Sequence, residues 1–332
     1  MNQPPHNDQS RPGQKIPAFY QSHPSQSAHV YLIATPIGNL ADLSPRALSV
    51  LQSCDEIWCE DTRHTQALLH ALGLDLTHQQ RLRRIDQHTE SKEIGDRLRL
   101  VQEKGQKIGV VSDAGTPGVS DPGAKVVREA MQLSQIELIS IPGPSAVTAL
   151  VSLAGVNENA FAFLGFFPRE ATKVHAILTE IETTQSVRAF IFFESPHRIQ
   201  ETLHALTQWN EQFAQRSDGQ VEYVFTKELT KVHETVWAGA GEQFLQRLLK
   251  HQVEQPESQK GEWCFLLNLA DVKIKTEKTL QDWEVTLECL ISAQVATKEA
   301  VGIVTGRFSV ARNLAYKKAL ELSAELKKNE KK

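Results

Sequence analysis

The chain has 332 residues, of which 40% are hydrophobic, and a formal net charge of −4. That length allows two or three domains, and no apolar run approaches the roughly 18 residues of a membrane helix. The four cysteines lie at spacings unlike those of disulfide frameworks or zinc sites. We therefore expect a cytoplasmic protein without a metal site, in which the cysteines are small buried hydrophobic residues.

The first 27 residues are rich in Gln, Pro, Ser and His, and they predict a disordered leader without the hydrophobic segment of a signal peptide. An N-terminal α/β domain is predicted over 28–143. Repetition of strand, loop and helix in this region predicts a parallel sheet with right-handed crossovers. The predicted strands are 30–34, 56–59, 108–111 and 136–141, and the predicted helices are 45–51, 62–72 and 122–133.

A second α/β domain is predicted over 144–272, with a cleft between it and the first domain. Two of its strands, 221–226 and 232–237, are too close in sequence for a crossover and need a hairpin, so its sheet should be mixed. The other predicted strands are 161–167, 188–193 and 263–269, and the predicted helices are 144–155, 195–209 and 241–249.

Residues 273–332 predict a small helical domain, with helices at about 297–306 and from Ser309 onward around a glycine turn. From residue 272 the chain carries 12 Lys and Arg against 8 Asp and Glu, which leaves an excess of eight negative charges elsewhere. This mildly basic region fits an RNA backbone and fits equally a solvated packing module. The cations concerned are Arg307, Arg312, Lys317 and Lys318.

Loops rich in Gly, Pro and polar residues follow most of the predicted strands. Backbone without bulky side chains can approach a ligand closely. Open α/β sheets bind ligands just past the carboxyl ends of their strands. The loops therefore predict one shared ligand-binding site. A P-loop, a dinucleotide fingerprint and a nucleophile elbow are all absent from the sequence. The loops are 35–39, 60–65, 112–123, 142–146, 194–198 and 227–231.

Seven motifs, six of which cover these loops, occur in a specific order along the chain. Together they closely resemble the bacterial ribosomal RNA small subunit methyltransferase I family, an RNA-acting branch of the tetrapyrrole methylase fold. The resemblance covers about Val30 to Leu322. The motifs are A-T-P-I-G-N-L, E-D-T-R-H-T, S-D-A-G-T-P-G-V-S-D-P-G, P-G-P-S-A, F-F-E-S-P-H-R, K-E-L-T-K-V-H-E-T and K-G-E-W.

The resemblance implies two α/β domains with S-adenosylmethionine (SAM) in the cleft between them. It also implies a homodimer that methylates the ribose 2′-oxygen of a cytidine in the decoding region of small-subunit ribosomal RNA, as naked RNA or as an assembled subunit. By matching motif, the donor site would comprise Thr35, Pro36, Asp113, Ala114, Gly115, Thr116, Pro117, Val119, Ser120, Ser145, Ala146 and Phe193.

Methyl transfer needs the reacting atoms in line, and a ribose hydroxyl needs a base or a nearby cation as its proton leaves. Our first candidates for this role are Asp61, Glu194 and Lys227, while Asp113, Glu228 and Glu262 stay open. Several of these groups also have purely structural interpretations: Asp121 as a helix cap, Asp113 as a turn former, and Glu60 to His64 as a cap cluster.

Further residues stay open between structural and functional roles. His197 and Arg198, in the first turn of a helix, suggest a phosphate partner. Phe192 and Phe193 fit either the core or the cofactor slot, and the pairs Lys227–Glu228 and Lys231–Glu234 fit either the surface or an RNA groove. Alternative functions on the same fold are methylation of a tetrapyrrole precursor or a protein side chain, and a non-catalytic role in ribosome assembly.

Overall fold

The structure is a computed structural model that describes residues 28–74, 81–156, 160–184, 186–274, 282–293, 295–308 and 310–329. The predicted leader over 1–27 and the predicted helix start at Ser309 lie outside the described residues, as does the side chain of Arg307. Contacts divide the chain into two compact units, one comprising Met1–Gln208 with Val221–Ala270 and the other Trp209–Gln220 with Asp271–Lys332.

The first sheet is entirely parallel, as predicted, with five strands in the order β3-β2-β4-β1-β5. Its strands are β1 (Ala28–Ile33), β2 (Glu56–Cys59), β3 (Arg81–Arg84), β4 (Lys107–Val110) and β5 (Ile136–Ile141). Its helices are α1 (Pro45–Ser53), α2 (Thr62–Ala71), α3 (Ser91–Lys104) and α4 (Gly123–Ala130).

Both faces of the first sheet are buried, which is why its central strands read as continuous apolar runs. Val30 packs with Leu98 and Val126 on one face, while its neighbour Tyr31 packs with Leu51 on the other. Local signals set the helix starts: the Ser44 hydroxyl accepts a hydrogen bond from Ala47 N at 3.0 Å, and Pro45 opens α1. Alternation along each strand thus fixes which helix covers which face.

The second sheet is mixed, as predicted, with the order β10-β9-β11-β7-β6. The neighbouring β6 and β7 are parallel, whereas β9 and β10 form the expected antiparallel hairpin. Its strands are β6 (Phe161–Phe166), β7 (Ala189–Glu194), β9 (Glu222–Lys227), β10 (Thr235–Ala240) and β11 (Trp263–Asn268), and the short β8 (Ser217–Asp218) lies outside it. The associated helices are α5 (Ala146–Ala154), α6 (Ala171–Thr183), α7 (Ile199–Gln215) and α8 (Gly241–Glu254).

The second unit has its own apolar core, in which Trp283, Leu287, Val301 and Ala315 are buried together. Its helices are α9 (Asp282–Ser292), α10 (Thr297–Arg307) and α11 (Arg312–Asn329), and β8 pairs with β12 (Lys273–Ile274). Helix α10 begins at Thr297, as predicted, and Ala296 occupies its N-cap position. No helix in the described part of the chain is long and apolar enough to cross a membrane.

Several sequence expectations need correction. The polar stretch after Gly73 contains β3 and α3, and α6 and α9 were also not predicted. Helix α4 begins at Gly123 rather than at Pro122. Cys54, Cys59 and Cys264 are buried as expected, but Cys289 is exposed.

Candidate active site

The 112–121 loop folds back onto the carboxyl end of β1 and is fixed there by backbone pairing. Thr35 N donates to Gly115 O at 2.9 Å, and Gly115 N donates to Thr35 O at 3.1 Å. The buried Thr35 hydroxyl lies within hydrogen-bonding distance of the Ser112 and Gly115 carbonyls. Gly115 has φ +80°, and a Cβ there would lie 3.2 Å from Ile37 Cγ2, so this close approach requires glycine.

Asp121 holds the other end of the same loop. Its carboxylate accepts hydrogen bonds from the backbone amides of Gly118 (2.8 Å), Val119 (3.1 Å) and Gly123 (2.7 Å). Ser120 lies between these contacts with φ +64°, a conformation uncommon for serine. Asp121 therefore binds the start of the following helix, as expected of a helix cap, and it also holds the loop that precedes the helix.

Together the carboxyl end of the first sheet and residues of the second sheet enclose a cavity of about 260 Å³. Such a volume lies just below the range of about 300 to 1,000 Å³ that is typical of small-molecule sites. The lining residues that belong to the first sheet, its loops and the start of α5 are Ile37, Glu60, Ser112, Asp113, Ala114, Gly115, Thr116, Val119, Ser120, Asp121, Ser145 and Ala146. From the second sheet come Phe166, Phe193, Glu194, Thr226, Leu229, Glu262, Trp263 and Cys264.

Most of the sequence-predicted donor residues line this cavity: Asp113, Ala114, Gly115, Thr116, Val119, Ser120, Ser145, Ala146 and Phe193. Thr35, Pro36 and Pro117 do not line it and are buried, so the structure gives them a supporting position. Of the first candidates for proton transfer, Glu194 lines the cavity but Asp61 and Lys227 do not.

One end of the cavity is acidic, because Glu60, Asp113 and Asp121 all line it. Partial burial and then the negative charges of Asp113 and Asp121 raise the pKa of Glu60 above its ordinary value. A carboxyl group whose ionisation is disfavoured by neighbouring negative charges is stabilised in its ionised form by a nearby cation. The donor set at this end therefore fits a positively charged ligand.

Asp61 caps α2 and is engaged by its neighbour. Hydrogen bonds from the Arg63 side chain and then from its backbone amide lower the pKa of Asp61 to about 2. So acidic a carboxyl is a poor acceptor for a hydroxyl proton at neutral pH. The cap interpretation of this cluster is the one that the geometry favours, and Asp61 connects to the cavity through its amide, which donates to Asp113 Oδ1 at 3.2 Å.

Glu194, at the end of β7, has both carboxylate oxygens occupied within the protein. One accepts from Ser195 N at 2.7 Å and from Arg198 Nη1 at 3.1 Å, and the other accepts from the Thr202 hydroxyl. Arg198 also donates to the carbonyl oxygens of Phe167 and Pro168 at 3.0 and 2.7 Å. The geometry therefore favours a structural role for Arg198 over the phosphate contact: its side chain is only 16% exposed and joins β7 to the chain after β6.

The 227–231 loop carries an ion-pair network beside the cavity. Lys231 Nζ lies 2.9 Å from Glu228 Oε1 and 3.1 Å from Glu262 Oε2, so its ionic partners are these two and not Glu234. Although partial burial opposes it, hydrogen bonds from Lys231 to both carboxylates raise its pKa. Glu228 has φ +54° and Thr230 has φ +67°, so the backbone on both sides of Leu229 is strained.

The sequence prediction missed most of the wall contributed by the second sheet, namely Phe166, Thr226, Leu229, Trp263 and Cys264, together with Ile37, Glu60 and Ser112 as lining residues. Glu60, Ser112, Leu229 and Ile37 lie in the loops that follow predicted strands, so a position just after a strand could have predicted them as lining residues. Thr226, Trp263 and Cys264 reach the cavity through the antiparallel register that sets Trp263 opposite both Glu194 and Lys227, whereas Phe166 ends the parallel strand β6. Phe192 is fully buried in the core, whereas Phe193 lines the cavity.

Comparison with known proteins shows the family and the fold of this chain. Residues 29–244 match the family model described as Tetrapyrrole (Corrin/Porphyrin) Methylases. A crystal structure of diphthine synthase, 16% identical, has a TM-score of 0.51 over 73% of this chain and 90% of that one, which shows a shared fold.

Sequence comparison narrows the class. The chain is 36% identical to Ribosomal RNA small subunit methyltransferase I from Escherichia coli O157:H7, over 91% of this chain and 98% of that protein. It is 35% identical to the protein of the same name from Mesorhizobium japonicum, over 88% and 92%. The chain therefore belongs to the tetrapyrrole methylase family and, within it, to the ribosomal RNA small subunit methyltransferase I branch.

Proposed function

We propose that this protein transfers the methyl group of SAM to the ribose 2′-hydroxyl of a cytidine in the decoding region of small-subunit ribosomal RNA. The observation that carries the proposal is the cavity at the carboxyl end of the first sheet, which combines an acidic end with an apolar wall. Membership of a family whose relatives bear the name of ribosomal RNA methyltransferases supports the substrate class. The assignment of the particular nucleotide rests on the family resemblance alone.

The residues present fit SAM. When bound, SAM supplies a methyl group on a positively charged sulfur. Asp113 and Glu60 offer negative charge to its cationic groups, and the bare backbone around Gly115 can approach its amino-acid end. Phe193 and Cys264 offer an apolar surface suited to a purine ring. We therefore keep the sequence-predicted donor residues that line the cavity as the donor site, with the exception of Val119, whose side chain is exposed.

The acceptor proton must leave through groups that reach the cavity. Asp113 and Glu262 line it, whereas Asp61 and Lys227 do not, and the oxygens of Glu194 are already hydrogen-bonded. We propose Glu262 as the proton acceptor because Lys231 holds its carboxylate beside the cavity while most of the side chain stays exposed to solvent. Positioning of the hydroxyl should contribute more to rate than the acidity of any one group.

The decisive experiment compares ribosomal RNA nucleosides by mass mapping in a strain that has the gene and in one that lacks it. We expect the loss of one 2′-O-methylcytidine from small-subunit RNA, restored by the wild-type gene. An unchanged methylation map would refute the proposal. Purified protein and tritium-labelled SAM then show the substrate: label in small subunits or their naked RNA supports it, whereas label in a porphyrin precursor or a protein, or binding without transfer, supports one of the alternatives.

We also propose small subunits or their RNA as the partner, and a homodimer acting in the cytoplasm. The support for the dimer is the family resemblance, since an RNA target is larger than one cleft. Sedimentation equilibrium of the full chain tests the dimer, and a monomer at micromolar concentration would refute it. Subunit fractionation of cell lysate tests the partner and the compartment.

A further inference from the structure

Two apolar side chains on the cavity lining are unusually exposed. Phe166 is 61% exposed and Val119 is 38% exposed, whereas the other large aliphatic or indole side chains of the lining, Ile37, Leu229 and Trp263, are all buried. Exposed apolar surface is costly in water, and where it lines a cavity it marks a contact surface for a ligand. The two residues come from opposite walls, since Val119 belongs to the loop of the first sheet and Phe166 ends β6 of the second.

The position of Phe166 results from an irregularity in β6. The regular pairing of β6 with β7 shifts between Phe163 and Phe166, and Gly165 within the shift has φ +74°. Such bulges redirect a side chain, and they are common beside functional sites. Phe166 then lies edge-on to Phe193, with ring centroids 5.8 Å apart and planes at 73°. Phe193 is held in turn by Phe163, at 4.7 Å.

Val119 is also held in place by its surroundings. Its backbone amide donates to Asp121, and Ser120 beside it has the strained φ of +64°. A loop so constrained can keep an apolar side chain exposed without collapsing onto the core. Both exposed residues are thus presented by rigid backbone, which suits a site that receives a flat group from outside.

We propose that Phe166 and Val119 receive the nucleobase of the acceptor nucleotide, whose ribose is methylated, once that nucleotide has turned out of its RNA. This inference rests on the proposed function and extends it. Single-stranded bases that are splayed out are recognised by stacking on aromatic rings, and extruded bases are held between aromatic and apolar side chains. The donor is assigned to the acidic residues and the surface around Phe193, so the exposed side chains of Phe166 and Val119 are the apolar surface left for a ligand that arrives on a long polymer.

A stacking surface accepts any base, because every base has a flat face. Phe166 and Val119 therefore position the acceptor and contribute little to the choice among bases. Their loss should weaken the use of RNA while leaving the binding of SAM unchanged. A general structural defect would instead lower both, which separates the two interpretations.

The test uses the full-length protein and small subunits from a strain that lacks the gene, with Phe166→Ala, Phe166→Trp, Val119→Ala and the control Phe161→Ala. Phe161 lies on the same strand, is 40% exposed and does not line the cavity. We expect Phe166→Ala to lower kcat/KM for small subunits about tenfold or more, with an unchanged Kd for SAM, and we expect Val119→Ala to have a smaller effect in the same sense. Phe166→Trp should retain most of the activity, and Phe161→Ala all of it.

The inference is overturned if Phe166→Ala behaves like Phe161→Ala, or if it weakens SAM binding by the same factor as transfer, which would assign the ring to the donor. Thermal melts exclude unfolding, and should Phe166→Ala unfold, the comparison of Phe166→Leu with Phe166→Trp decides. If the wild-type protein itself transfers no methyl group to RNA, the proposed function fails, and the inference fails with it. If the wild type is active and Phe166→Ala matches it, only the inference fails.

Discussion

Glu194 and Arg198 form an almost fully buried ion pair across the first turn of chain after β7. The carboxylate is inaccessible to solvent, and the guanidinium uses its remaining hydrogens to hold the carbonyl oxygens of Phe167 and Pro168. Phe166 directly precedes this anchored segment. The pair therefore fixes the segment that follows β6 and contributes to the geometry of the cavity wall.

Replacement of Glu194 by Gln should lower the free energy of unfolding by about 2 to 4 kcal/mol, because it leaves the largely buried guanidinium with only the exposed Glu201, 3.8 Å away, as a counter-charge. Urea unfolding measures the loss. The matched control is Lys173→Gln, which removes the exposed pair with Glu170 and should cost less than about 1 kcal/mol. If Glu194→Gln leaves stability unchanged but abolishes the pH dependence of methyl transfer, the residue is the proton acceptor after all.

Replacement of Glu60 by Gln should raise the melting temperature at pH 7.5 while weakening SAM binding. The pKa of Glu60 is raised by burial and by Asp113 and Asp121, so its stabilising contribution is present below its ordinary value of 4.5 and is lost as pH rises through the raised value. The gain from Gln should therefore shrink as pH falls towards that ordinary value. Differential scanning calorimetry and SAM titration follow the two effects, and unchanged SAM affinity would contradict the cation-site assignment.

Replacement of Gly261 by Ala should disturb the ion-pair network beside the cavity. Gly261 has φ +113°, and a Cβ there would lie 2.5 Å from Glu228 Cγ. We expect a loss of about 1 to 3 kcal/mol in the free energy of unfolding and lower methyl transfer by the folded protein. In the control Gly155→Ala, φ is +60° and no atom lies within 4 Å, so only the backbone cost of about 1 kcal/mol applies. Equal losses in the two variants would show that the contact with Glu228 is unimportant.

Replacement of Gly302 by Ala should stabilise the second unit. Gly302 lies in the interior of α10, and an added Cβ would meet no atom within 4 Å. The gain should be about 0.5 to 1 kcal/mol, because alanine restricts the unfolded chain and favours helix. Gly306→Ala, nearer the helix end, should gain less. Urea unfolding followed by far-ultraviolet circular dichroism measures both, and a destabilised Gly302→Ala would refute the expected gain.

The parallel sheet could be predicted because its signals are local: apolar runs for buried strands, and Ser-Pro or Asp-Pro pairs near helix starts. Strand β3 could not be predicted, because Leu82 is its one apolar residue among three arginines. Helix α3 buries Ile94, Leu98 and Val101 at helical spacing, but the charged residues between them obscure that stripe. Edge strands and amphipathic surface helices carry too little apolar sequence to stand out from a polar stretch.

Only part of the candidate site, too, could be predicted from the sequence. The loops of the first sheet could be predicted, because Gly and Pro at strand ends mark places where backbone approaches a ligand. The opposite wall depends on which antiparallel strands pair and in which register, a non-local property that placed Trp263 between Glu194 and Lys227. Phe166 reaches the cavity through a shift in pairing that no spacing in the sequence indicates.

The arginines of β3 have a consequence for self-association. β3 lies at the edge of the first sheet, with Arg81 exposed and the Arg84 side chain 68% exposed. If two molecules joined their sheets along this margin, equal positive charges would face each other, which discourages run-on aggregates at high concentration. A symmetric pair of subunits should accordingly meet through some other surface.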